Sequence, residues 1–393
     1  MDTVIIKITG LKKFNIKNLS WFVPELSRRD YYALSPTEQK STAPYLRKFL
    51  FRPHWQSEYL PKVELFENLS KTCRDIEYVL KIEFSVPKLL YGNSLQEVAE
   101  KDMKKILTKL KDRLLSVGIG TSEEILADAR VSAVHFCKNI PLPQGMAMKE
   151  LLKELARVDI NKVVDVTSTQ FKSGGQVLNV YSGTIERSFY DKISDALRPK
   201  NKRSDKKRID QERAVIERYG LEKREVFRYE YRIKKTQTVL REINKALGRA
   251  PKTFVAFKEL FTDGLFKKMV VGSWRELVQR PENQLALLGS TDISGLLPHI
   301  LGKAKDAKSS GHSMNKALIS YGLARATGDH GVKELRRQIF SKWHKDHSER
   351  FNKKLKIASD LMAGLPYSNS IALIDGALER FEIIYLTSLE NGI

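Results

Sequence analysis

The first half of the chain alternates apolar and polar residues in short runs, and the second half repeats apolar residues at helical spacing. Alternation sends successive side chains to opposite faces, so each run reads as a half-buried strand. Such runs are TVIIKIT at 3–9, IEYVLKIEF at 76–84, RVSAVHF at 130–136 and VFRYEYRI at 226–233. Two more, GQVLNVYS at 175–182 and ERSFYD at 186–191, flank Gly183-Thr184. Small residues between two alternating runs predict a hairpin. Residues 95–117 carry Val98, Met103, Ile106, Leu107, Leu110, Leu114 and Leu115 at the spacing of an amphipathic helix with a lysine-rich outer face. Residues 146–157 repeat the pattern with Met148, Leu151, Leu152 and Leu155. Residues 10–60 mix aromatics and prolines and read as irregular chain with short strands, while 192–225 read as helical and highly charged.

After Lys235 the spacing stays helical, with a break at Gly248-Arg249-Ala250-Pro251 and an exposed loop or linker at 302–313. No internal repeat is present. Strands followed by helices predict an α+β fold: an antiparallel-sheet domain over 1–245, then an α-helical domain over 246–393.

Charge changes the picture more than composition does. Lys plus Arg number 69 against 47 acids, a net of +22 with a pI near 9.7. That excess points to a polyanion, of which nucleic acid is the commonest; a ribosome, a membrane surface or plain solubility are the other readings. The two cysteines, Cys73 and Cys137, make neither a disulfide framework nor a structural zinc site and fit a reducing cytoplasm. No signal peptide or membrane-length apolar run is evident, and no Gly-rich phosphate loop points to a helicase or ATPase.

Tyr190 ends the second run of the predicted hairpin, in Ser188-Phe189-Tyr190-Asp191-Lys192. Most strand tyrosines only pack. One held beside a cation can instead attack a DNA phosphate and stay joined to it, splitting one displacement into two. Its phenol, with an ordinary pKa of about 10, needs activation. Lys192 lies two residues along, on the same face if the strand continues. Tyr181, Tyr229 and Tyr231 are rivals, with Tyr181 next in line. Arg228, Glu230 and Arg232 alternate on one face of their strand, opposite Phe227, Tyr229, Tyr231 and Ile233. That triplet either grips phosphate or neutralises itself.

LKIEFSVPKLLYGN at 80–93, ARVSAVHFCKNI at 129–140, SFYDK at 188–192 and FRYEYRIK at 227–234 resemble, in order and spacing, motifs of the filamentous-phage gene II (CRI) type replication initiators. They also resemble the related Rep-trans initiators of rolling-circle plasmids. The resemblance covers residues 1–245 and extends more loosely to the helical remainder. It implies a ferredoxin-like or related antiparallel sheet. It also implies a nickase that cuts one strand at an origin, keeps the 5′ phosphate on tyrosine and later rejoins the strand. Tyr190 then stands at the nucleophile with Lys192 beside it. A divalent metal, Mg²⁺ or Mn²⁺, would be held by Glu83, His135 and Glu230. His135 replaces an aspartate usual in such relatives, which tilts the preference toward Mn²⁺.

Backbone phosphate contacts are expected from Arg228 and Arg232 and from the basic run Arg198, Lys200, Lys202, Arg203, Lys206, Lys207 and Arg208. Within 198–213 there are eight basic and three acidic residues. Two helical patterns around Thr327–Gly331 fit a helix-turn-helix presenting Lys333, Arg336 and Arg337 to a duplex. Expected partners are single- and double-stranded DNA at a replication origin and, by resemblance, a host helicase and polymerase; a homodimer is allowed and no membrane is expected. The competing readings are a relaxase or transposase with the same tyrosine chemistry, and a non-catalytic origin- or RNA-binding protein.

Overall fold

The computed structural model describes residues 1–17, 22–26, 45–51, 59–69, 76–158, 168–172, 177–198, 212–250, 252–279, 281–288, 293–306, 314–342, 346–362, 365 and 368–391. The alternating runs become strands. The first is β1 (Thr3–Thr9), followed by the short β2 (Asn15–Ile16) and by β3 (Phe22–Leu26), β4 (Tyr45–Phe51) and β5 (Lys62–Leu69). Then come β6 (Ile76–Ser85), β7 (Ile119–Gly120) and β8 (Arg130–Pro141). The set closes with β9 (Ser168–Lys172), β10 (Val177–Ser182), β11 (Ile185–Asp191) and β12 (Val226–Ile233). The expected hairpin is β10–β11, turning at Gly183 with φ +29. β8 outruns its expected end because Cys137–Ile140 go on pairing with β12.

Among the described residues, ten strands form one antiparallel sheet in the order β3-β4-β5-β6-β1-β8-β12-β11-β10-β9. The first strand therefore sits near the middle, between β6 and β8.

The helices are α1 (Val86–Tyr91), α2 (Met103–Ser116), α3 (Glu123–Ala127), α4 (Met148–Ala156), α5 (Lys192–Leu197) and α6 (212–218). They continue with α7 (Thr236–Leu247), α8 (Leu265–Val278), α9 (Pro281–Leu287), α10 (Ile293–Asp306) and α11 (Met314–His330). The last are α12 (Val332–Lys342), α13 (Asp346–Met362), α14 (Asn369–Arg380) and α15 (Leu386–Asn391). α2 starts later than its apolar spacing suggested. Asn93 Oδ1 takes the amides of Leu95 and Gln96, and Glu97 exchanges bonds with Ile384, so 93–97 form a pinned loop.

One apolar core joins the inner face of the sheet to α2, α4, α7, α8 and α14. Phe189 and Tyr229 stack with ring centroids 4.9 Å apart, and Trp274 of α8 meets Tyr229 edge-on. Burial of each such side chain contributes about 1.5–3 kcal/mol. Residues beyond 246 divide between two cores. α7, α8 and α14 share the core of the sheet, whereas α9–α13 close around Leu285, Ile300, Ala324 and Leu355. A third cluster joins α5, α6 and α15 through Ile193, Ile216 and Leu389. No helix among the described residues is long and apolar enough to cross a membrane.

Candidate active site

The other face of the sheet carries the polar residues. Antiparallel register sets residues opposite one another on a common face. Across β10, β11, β12 and β8 this produces three rows. The first is Val177, Tyr190, Arg228 and Asn139; the second is Asn179, Ser188, Glu230 and Cys137; the third is Tyr181, Glu186, Arg232 and His135. Three residues expected on separate grounds, Tyr190, Glu230 and His135, thus occupy one patch. Tyr229 and Tyr231 point to the core face, where Tyr229 donates to Ser273 Oγ at 2.7 Å.

Glu230 is the hub. Its Oε1 accepts from the Tyr190 hydroxyl at 2.5 Å and from Arg228 Nε at 2.6 Å. Its Oε2 accepts from Arg232 Nε at 2.5 Å, with Arg232 NH2 against the same oxygen. Arg232 NH1 reaches Glu186 Oε1 at 2.8 Å, and Lys234 pairs with Glu186 as well. Arg228 NH1 donates to the Ser94 carbonyl at 3.0 Å and to Asn139 Oδ1 at 3.2 Å. Its NH2 lies 3.2 Å from Asp2 Oδ2, within ion-pair reach but not aligned for a hydrogen bond. Side-chain exposure is 1% for Arg228 and 2% for Glu230 but 26% for Arg232, so the patch opens at its third row.

Electrostatics follow from this packing. Burial pushes the Tyr190 phenol well above its ordinary 10, the Glu230 charge adds to that, and Arg228 and Arg232 only partly oppose it. Burial alone would raise the Glu230 carboxyl; Arg228, Arg232 and the Tyr190 hydrogen bond together hold it well below the ordinary value. Burial lowers His135, leaving a neutral imidazole at pH 7. The resting cluster is therefore an un-ionised tyrosine bonded to an ionised, doubly arginine-paired carboxylate.

Lys192 does not continue the strand. Asp191 ends β11 and caps α5, accepting from the amides of Ile193 and Ser194 at 3.2 Å each. Lys192 opens that helix, buried, with Glu212, Arg228, Asp2 and Asp195 as its charged neighbours. Among the described residues it forms no ion pair within 4 Å. Burial lowers its ammonium below the ordinary 10.5. Glu212 of α6 closes this end, taking the Ser94 amide at 3.1 Å, the Ser94 hydroxyl, and Lys88 at 3.3 Å.

The expected metal ligands are not brought together. Glu83 would meet His135 only if β6 and β8 were neighbours, and β1 runs between them. Glu83 faces Lys62 at 3.8 Å instead. Both oxygens of Glu230 are already taken by three donor side chains, a set that does not fit a cation. Among the described residues no three His, Cys, Asp or Glu side chains form a group that could hold a metal.

The expected DNA contacts divide. Arg228 is fully buried, while Arg232 reaches the surface. Arg198 lies 3.9 Å from Asp195, and Lys200, Lys202, Arg203, Lys206, Lys207 and Arg208 fall outside the described residues. α11 runs through Gly328 to His330, and Gly331 alone joins it to α12. Arg336 turns inward, donating to Asn352 Oδ1 at 3.1 Å, and burial lowers it to about 10. Arg337 is exposed but held by Glu334 at 2.7 and 2.9 Å. The Lys333 side chain is outside the described residues.

No protein-family model, curated protein or solved structure matches this chain. The arrangement therefore speaks through its own chemistry. It offers a tyrosine hydroxyl with a proton acceptor in contact and two guanidinium groups within the same hydrogen-bonded cluster. Sequence reasoning missed Asp2, Ser94, Glu186 and Glu212. Of these only Glu186 had a local signal, its alternation with Ser188 and Tyr190 on β11.

Proposed function

We propose that this chain cuts and rejoins one DNA strand through a covalent bond between Tyr190 and a 5′ phosphate, as an initiator of rolling-circle replication. The observation that carries the reading is the contact of the Tyr190 hydroxyl with Glu230, on a carboxylate that two arginines share. Guanidinium forks match phosphate geometry, and Arg232 is the one placed to meet a strand from solvent. The four-motif resemblance to phage and plasmid initiators and the net charge of +22 support the same reading. A relaxase or transposase would use the same bond and differ only in its DNA.

A second reading, a nucleic-acid-binding protein that does not cut, is favoured by one feature. Tyr190 is 7% exposed, and its phenol is far from ionising. One experiment separates the two. Purified protein, Tyr190→Phe and Tyr181→Phe are mixed with supercoiled DNA of the protein's own replicon, in Mg²⁺, in Mn²⁺ and in chelator. Nicked circles carrying protein on the new 5′ end, absent with Tyr190→Phe and present with Tyr181→Phe, support cutting through Tyr190. Cutting that survives Tyr190→Phe refutes it. Tight, salt-sensitive binding without cutting by any of the three supports the second reading.

A further inference from the structure

We propose, resting on Tyr190 as the nucleophile, that Glu230 is the catalytic base for its hydroxyl and that the DNA phosphodiester frees that base by drawing Arg232 away. Glu230 Oε1 is the atom to which the Tyr190 hydroxyl donates, at 2.5 Å. Three side chains hold Glu230, and they differ in access. Arg228 is 1% exposed and tied also to Ser94, Asn139 and Asp2, so it stays in place. Arg232 is 26% exposed, and among the described residues its guanidinium is spent on Glu230 and Glu186 alone. Of the three side chains that hold Glu230, Arg232 is the one an incoming phosphate can reach from solvent, and a guanidinium exchanges one oxyanion for another without changing its own charge.

The remaining groups facing Glu230 are His135 and Cys137 on β8 and Asp2 ahead of β1. His135 is held neutral and the Cys137 thiol is pushed up by burial, so neither replaces the lost positive charge. With Arg232 on Oε2, Glu230 is too weak a base and Tyr190 too weak an acid. With Arg232 on phosphate, the proton affinity of Glu230 rises while the same guanidinium neutralises the phosphate oxygens whose negative charge would repel the incoming phenolic oxygen. The phenolic proton passes to Glu230 Oε1 as the tyrosine oxygen bonds to phosphorus. The bond from phosphorus to the 3′ oxygen breaks, that oxygen takes a proton from water, and Glu230 returns its proton to solvent. No electrons are transferred, and rejoining runs the same steps backward.

The test is single-turnover cutting of supercoiled replicon DNA by the parent, Tyr190→Phe, Glu230→Gln, Glu230→Asp and Arg232→Gln, across about pH 5 to about pH 9. Glu230→Gln should bind DNA as the parent does and cut at least about a hundredfold more slowly, with Glu230→Asp recovering part of the rate. At saturating DNA, Arg232→Gln should weaken binding but leave the acid limb of the rate profile where the parent has it, because bound phosphate has already taken Arg232 off Glu230. Thermal melting checks that Glu230→Gln is folded; if it is not, the Arg232→Gln limb decides alone. Cutting by folded Glu230→Gln at the parent rate, or an acid limb that rises by about one pH unit or more in Arg232→Gln, overturns the proposal while Tyr190 stands. A parent that does not cut overturns the nucleophile and the base together.

Discussion

Glu212 joins three parts of the molecule, and its charge has a calculable effect on stability. It sits at the start of α6, takes two bonds from Ser94, and lies near Lys88 and Lys192. Burial would raise its carboxyl, but the charges of Lys192 and Lys88 and the Ser94 bond prevail and bring it from the ordinary 4.5 to about 2. A folded-state value below the unfolded one means stability that is fully present above about pH 4.5 and lost as pH falls toward 2. At about 1.4 kcal/mol per pH unit this is worth about 3 kcal/mol at pH 7 and about 1 kcal/mol at pH 3. Glu212→Gln keeps the shape and one acceptor but removes the charge. Urea unfolding of parent and variant at several pH values should give a gap of about that size at neutral pH, shrinking steadily with acid. A gap that stays constant with pH, or is under about 1 kcal/mol at pH 7, would refute the reasoning.

Three further outcomes are expected. Lys138→Met leaves Glu97 buried without its partner at 2.5 Å and should cost about 3–5 kcal/mol by thermal denaturation, part of which the double variant with Glu97→Gln recovers. Gly331→Ala sets a side chain at φ +80 with its Cβ 2.9 Å from the Arg157 carbonyl, so the α11–α12 joint should lose about 1–3 kcal/mol and become sensitive to limited proteolysis. Glu83→Gln should leave cutting unchanged in Mg²⁺ and in Mn²⁺, since β1 separates Glu83 from the patch; a loss in either metal would give Glu83 a role that its pairing with Lys62 does not.

Alternation carried the reading of the sheet because strands enforce a period of two. It separated Arg228, Glu230 and Arg232 from Tyr229 and Tyr231 correctly, and it found the hairpin that presents Tyr190. It could not say which strands are neighbours. The insertion of β1 between β6 and β8, which parts Glu83 from His135, is decided by pairing across 70–82 positions to β6 and 123–130 positions to β8. The run reads as a strand to Asp191, with Lys192 on its face only if the strand continues; Asp191 before Ile193 and Ser194 is the N-cap signal that stops it there. Asp2, Ser94 and Glu212 carry no local signal, since each enters the site through tertiary contacts. The positions of α7 and α8 show the same limit: helical spacing found them, but not that they roof the sheet.

The loop at 93–97 has a consequence for how the protein is made. Its Ser94 carbonyl holds Arg228, and its Glu97 is fastened by the amide of Ile384 and by Lys138, which also reaches the Glu382 carbonyl. These bonds span up to 287 positions of chain. On the ribosome, Tyr190, Glu230 and both arginines emerge well before residues 382–384, and contacts so distant in sequence are slow to close. A nascent chain that ends short of residue 382 thus holds Tyr190, Glu230 and both arginines without the fastening behind Arg228. The fastening behind Arg228 is therefore completed only after residues 382–384 have been translated, long after the strands that carry Tyr190 and Glu230.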